Sequence, residues 1–112
     1  MVSSQLHQTV TDMNKALSYN PACAISEADA FTASQEDAIT KLRIVRQGSD
    51  MMLFLHLSWR KGEMYVATKR NKAEPRRFKN ADRFFEYLEA NFPTLYKLPV
   101  SIAFLPVPPP NQ

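Results

Sequence analysis

Met51-Met52-Leu53-Phe54-Leu55-His56-Leu57-Ser58-Trp59 is the stretch on which the fold turns. Side chains of a strand alternate sides, so Met51, Leu53, Leu55, Leu57 and Trp59 share one face and Met52, Phe54, His56 and Ser58 the other. A strand apolar on both faces belongs inside a sheet, covered from both sides. On its N-terminal side, from Ile39, Leu42 and Ile44 alternate with Lys41 and Arg43 as in a half-buried strand, and Gln47-Gly48-Ser49-Asp50 supplies a turn. On its C-terminal side Arg60-Lys61-Gly62-Glu63 reads as a second turn, with Gly62 free to take a positive φ, and Met64 to Lys69 returns as a third strand.

Beyond this core the period lengthens. Leu6, Val10, Met13 and Leu17 lie on one stripe of a helix from about Ser4 to Tyr19, stopped by Asn20-Pro21. That stripe either packs across the sheet or serves self-association. Ser26 with Asp29, and Ser34 with Asp37, are two possible helix starts. Arg76-Arg77-Phe78 reads as a short edge strand. Asn80 then caps a helix whose stripe is Ala81, Phe84, Phe85, Leu88 and Phe92, ended by Pro93. Leu98, Val100, Ile102 and Phe104 alternate as a last strand, which Pro99 assigns to an edge. The expected fold is α+β: an N-terminal helix, a three-stranded antiparallel meander, a helix and a final edge strand. One domain over residues 1–104 is expected, with an acidic helical part (1–38) and a basic β-β-β-α-β core (39–104); residues 105–112 form a proline-rich disordered tail.

The charge is segregated along the chain. Twelve of the fourteen Lys and Arg residues fall between Lys41 and Arg83, where four acids leave a net plus eight, although the whole chain carries only plus three. A concentrated positive field attracts polyanions, above all phosphate backbones. Two places could use it. If the register allows, Lys41, Arg43, Phe54, His56, Tyr65 and Lys69 share a sheet face, the cations meeting phosphates while Phe54 and Tyr65 stack on bases; alternatively those two rings are core residues beneath the N-terminal helix. The other place is the loop, where Lys69, Arg70 and Lys72 precede Arg76, Arg77 and Lys79 just before a helix N-terminus that adds backbone donors.

Catalytic chemistry is poorly supported. His7 and His56 are the only histidines, neither at metal-ligand spacing from Cys23, and the two glycines, Gly48 and Gly62, stand in separate turns and make no phosphate loop. His56 with Arg43 and Lys69 could form a general acid/base site for RNA cleavage like that of small bacterial toxins, but a lone His in a central strand is more often packed or hydrogen-bonded than catalytic. No enzymatic activity, metal or cofactor is expected. With one cysteine, no secretory pattern and no apolar run of membrane length, a cytoplasmic protein that does not enter membranes is expected.

From Gly62 to Phe92, Gly-Glu-Met-Tyr-Val-Ala-Thr-Lys-Arg followed by Pro-Arg-Arg-Phe-Lys-Asn-Ala-Asp-Arg-Phe-Phe-Glu-Tyr-Leu resembles a pattern in small accessory proteins of bacterial plasmids and integrating elements, some of them partition-associated. A three-stranded sheet followed by a helix is also similar to sheet-type DNA readers, including the arm-site-binding domain of some integrases, which implies strands entering the major groove. The expected protein is a nucleic-acid-binding accessory factor of a mobile element, with DNA ahead of RNA as partner, monomeric or homodimeric. The alternative is an interaction module or inhibitor that docks its basic face on an acidic protein.

Overall fold

The computed structural model describes residues 20–107, so the helix expected over Ser4 to Tyr19 and the tail from Pro108 onward lie outside the described residues. Five strands and two helices follow a short 3-10 turn at Pro21–Cys23: β1 (Ala24–Ile25), α1 (Glu27–Gln35), β2 (Ile39–Gln47), β3 (Asp50–Leu57), β4 (Arg60–Val66), α2 (Ala81–Asn91) and β5 (Val100–Leu105). The sheet order is β1-β4-β3-β2-β5. β2, β3 and β4 pair antiparallel, whereas β1 lies parallel to β4 and β5 parallel to β2.

This corrects the three-stranded antiparallel meander. The sheet is mixed and five-stranded, because α1 carries the chain from one edge to β2 and α2 carries it back across the sheet to β5. Two features hid the topology. Ala24–Ile25 is too short to display a period of two, and the neighbour of β5 lies more than fifty residues earlier in the chain.

β3 has a strand on each side and apolar layers above and below. One face carries Leu42, Ile44, Met51, Leu53, Leu55, Leu57, Met64 and Val66 beneath Ala30 and Ala33 of α1 and Phe84 and Leu88 of α2. The other carries Val45, Met52, Phe54, Tyr65 and Ala67, flanked by Cys23, Ala24, Ala103 and Leu105. Among the described residues no helix is long and apolar enough to cross a membrane.

Local signals account for the element ends. The β2–β3 turn is Gly48-Ser49, with Gly48 at φ +63°, the left-handed conformation such two-residue turns require. Ser26 Oγ accepts from Asp29 N and starts α1, while Ser34 is buried in its last turn and starts nothing. Asn80 Oδ1 accepts from Arg83 N and starts α2, with Asp82 in the first turn, where a carboxylate suits the helix dipole.

The second turn is displaced. Leu57 pairs with Arg60, so Ser58 and Trp59 make the turn, and Trp59 leaves the strand face to stand 67% exposed. Gly62, at φ +88°, serves the irregularity between the Leu57–Arg60 and His56–Glu63 pairs instead, where the extra residues need a bend. Phe78, expected in an edge strand, makes a single bridge: it exchanges backbone hydrogen bonds of 2.9 and 2.8 Å with Met51, at the end of β3 that β4 leaves unpaired.

Candidate nucleic-acid interface

Four of the eight cations read as phosphate contacts turn toward acids of the same molecule. Arg43, on β2, gives its guanidinium to Glu63 on β4 through bonds of 2.7 and 2.6 Å and lies 4.9 Å from the Phe54 ring centroid. Glu63 thereby holds Arg43 more firmly as the cation, against the opposing effect of burial. His56 Nε2 stands 3.8 Å from the same carboxylate. His56 thus stands on the sheet face beside the Arg43–Glu63 pair.

Arg76 lies over the rings of Phe78 and Tyr87, at 4.5 and 5.3 Å from their centroids, and pairs with Glu27 of α1. Tyr87 donates to the same Glu27 oxygen at 2.7 Å. Burial first, then this bond to a carboxylate, keeps the Tyr87 hydroxyl protonated far above its ordinary value. Arg77 reaches Asp50 at 3.2 Å and Gln47 at 3.3 Å, and Lys79 reaches Asp50 at 2.8 Å. The Asp50 carboxyl is held below its usual range chiefly by the Lys79 bond, with Arg77 adding to it. These contacts tie α1, α2 and the β2–β3 hairpin together, which is a structural employment of the charge.

The stacking role read for Phe54 and Tyr65 is corrected. They are only 5% and 2% exposed, tilted against each other with centroids 6.0 Å apart, so neither ring offers a face to a base. They occupy the second apolar layer because the two-residue period of β3 and β4 puts them there.

Tyr65 acts on the loop instead. Its hydroxyl donates to the Lys72 carbonyl at 2.5 Å. Within the loop Thr68 Oγ1 accepts from Asn71 N (3.0 Å) and donates to Asn71 O (2.9 Å), and Asn71 Oδ1 accepts from Ala73 N (2.9 Å). Thr68 N donates to Glu74 O, and Ala67 bridges Pro75 to close the segment. Side chains of Thr and Asn that satisfy nearby backbone groups build turns of this kind. The result is a fixed backbone from which Lys69, Arg70 and Lys72 stand exposed, with no ion-pair partner among the described residues. The sequence reads this connection, Arg70 to Pro75, as merely polar; neither the Asn71 turn nor the Tyr65 anchor was recognised, since a strand tyrosine carries no mark of what its hydroxyl meets.

Lys41 is also exposed and without an acid partner among the described residues, yet the register separates it from the loop. It lies opposite His56, which lies opposite Glu63, whereas the loop leaves the sheet beyond Val66 at the other end of β4. The structure therefore does not gather all eight nominated cations into one surface. It gathers three.

Beside the loop runs a groove of about 570 Å3 between α1 and β4, with Ile25, Ala33 and Met64 among its apolar lining residues. Trp59, Lys69 and Lys72 contribute to its wall, and so do the acids Glu27 and Asp29 of α1 and Glu36 just after it. Among the described residues no three His, Cys, Asp or Glu side chains cluster as a metal would need. Comparison with protein-family models, with curated proteins and with solved structures finds no match for the chain.

Proposed function

We propose that this is a small nucleic-acid-binding protein that grips phosphates with Lys69, Arg70 and Lys72. One observation supports it above the rest: three exposed cations within the four residues 69–72, with no ion-pair partner among the described residues, on a loop whose backbone is tied down by its own hydrogen bonds and by Tyr65. Preformed cations lose little freedom on meeting a phosphate, and phosphate contact by Lys and Arg supplies sequence-independent affinity. Lys79, whose side chain is 74% exposed despite its bond to Asp50, can join at the rim. DNA is the leading partner, and a role as an accessory protein of a bacterial mobile element rests on the resemblance in Gly62–Phe92. A reducing, cytoplasmic setting suits the free thiol of Cys23.

Simultaneous Lys69→Ala, Arg70→Ala and Lys72→Ala is expected to weaken binding of a short labelled duplex about 10- to 100-fold at low salt without moving the thermal midpoint. Unchanged affinity in the folded triple variant removes the site.

A second reading, docking on an acidic protein, rests on the same exposed loop cations, since Lys69, Arg70 and Lys72 can meet carboxylates as well as phosphates. Glutamate-rich peptide bound at the loop and lost in the triple variant, with no binding of duplex or single strand at any salt concentration, is the result that belongs to this reading.

A further inference from the structure

We propose that β5 pairs with β5 of a second copy of the chain, antiparallel about a two-fold axis through Ile102, so that one sheet runs through both molecules. Among the described residues β5 is the outermost strand on its side, with only β2 beside it. Leu42 N donates to Pro99 O and fixes the phase of that parallel ladder. In a parallel pair alternate residues bond the neighbour, so Ser101 and Ala103 face β2 while Val100, Ile102 and Phe104 turn their N–H and C=O groups outward. Unpaired strand edges recruit other strands, and stable monomers blunt them with charge, proline or a covering element. From Val100 to Leu105 there is neither a charge nor a proline.

The side chains agree with the backbone. Val100, Ile102 and Phe104 lie on the side of the sheet that α1 and α2 cover elsewhere, yet they are 44%, 52% and 74% exposed. Ser101 and Ala103 occupy the opposite side. Antiparallel pairing about Ile102 sets Ile102 against Ile102, Val100 against Phe104 and Ser101 against Ala103, apolar facing apolar and small facing small, with no charge buried. It also joins every outward N–H and C=O of the three residues in both copies.

Neighbouring registers do worse. A shift of two residues toward the C-terminus brings in Pro106, which has no N–H and whose carbonyl already accepts from Gln47 Nε2 at 2.9 Å. A shift of two toward the N-terminus brings in Leu98, whose N–H is already given to Leu95 O. A foreign strand would need no such symmetry. The self-complementary register is what identifies the occupant as a second copy, an isologous contact that closes on itself.

Sedimentation of the full chain over a concentration series tests this, with Ile102→Lys as the control. The wild type is expected to pass from monomer to dimer as concentration rises. The variant, which opposes two ammonium groups across the axis, is expected to raise the dissociation constant about 100-fold or more, with little change in thermal midpoint at concentrations where both proteins are monomeric, because residue 102 is half exposed in the single chain. Amide exchange at Val100, Ile102 and Phe104 should slow with concentration in the wild type. A wild type that stays monomeric, a dimer that Ile102→Lys leaves intact, or exchange at these amides that ignores concentration overturns the proposal.

Discussion

Arg76 is a cation whose partners decide its meaning. Its guanidinium joins Glu27, a carboxylate only 16% exposed, to the rings of Phe78 and Tyr87. Arg76→Ala leaves that carboxylate with only the Tyr87 hydroxyl and is expected to cost about 2 to 3 kcal/mol in urea unfolding, while Arg76→Lys recovers only part, because an ammonium has no plane to lay over two rings. Asp50 adds a pH signature. Its folded pKa lies below the ordinary 3.8, so its contribution is present above about pH 5 and is lost as pH falls through the folded value. The stability advantage of wild type over Asp50→Asn is therefore expected to be at most about 1 kcal/mol at neutral pH, since solvent reaches the cluster, and to vanish in strong acid; an advantage constant from neutral pH to strong acid would contradict the pairing. In the sequence these arginines look like phosphate contacts because their acids are remote: Glu27 is 49 residues from Arg76, and Asp50 is 27 from Arg77. Charge counting sees the cations and misses the tertiary pairing that employs them.

Helix α2 and the strands it covers show which elements local pattern can reveal. Asn80, Asp82, Phe84 and Leu88 mark cap, dipole and buried stripe within a dozen residues, and all four serve those purposes in the structure. Phe84 is fully buried. Its replacement by Ala is expected to lower unfolding free energy by about 3 to 5 kcal/mol, against less than about 1 kcal/mol for Phe85→Ala, which is 41% exposed on the same helix. β3 was legible for the same reason, with apolar residues on both faces over a long run. β1 was not, being two residues long, and its parallel place beside β4 depends on the crossover through α1. Gly62 was read into the turn Arg60–Glu63 as a residue able to take a positive φ; it takes one, but at the strand irregularity, and both features favour glycine alike. Gly62→Ala meets open space but keeps a φ of +88°, and about 1 kcal/mol of destabilisation is expected from backbone strain alone.

Over the whole molecule, the eight cations read as phosphate contacts divide into a paired group, a loop group and Lys41, which stands apart on β2. Arg43, Arg76, Arg77 and Lys79 are paired with Glu63, Glu27 and Asp50. Lys69, Arg70 and Lys72 are held outward by a loop that Tyr65 anchors. The sequence located the loop correctly as a dense basic segment but could not divide it, because the division depends on which side chains meet acids from α1 and from the β2–β3 hairpin. The most direct measurement is the dependence of duplex affinity on salt concentration, for wild type and for the variant lacking all three loop cations. Each phosphate neutralised contributes about 0.9 to the slope of log affinity against log salt, so a wild-type slope near −3 that falls toward zero in the triple variant is expected. An equal slope in both proteins would contradict the assignment of phosphate contact to Lys69, Arg70 and Lys72.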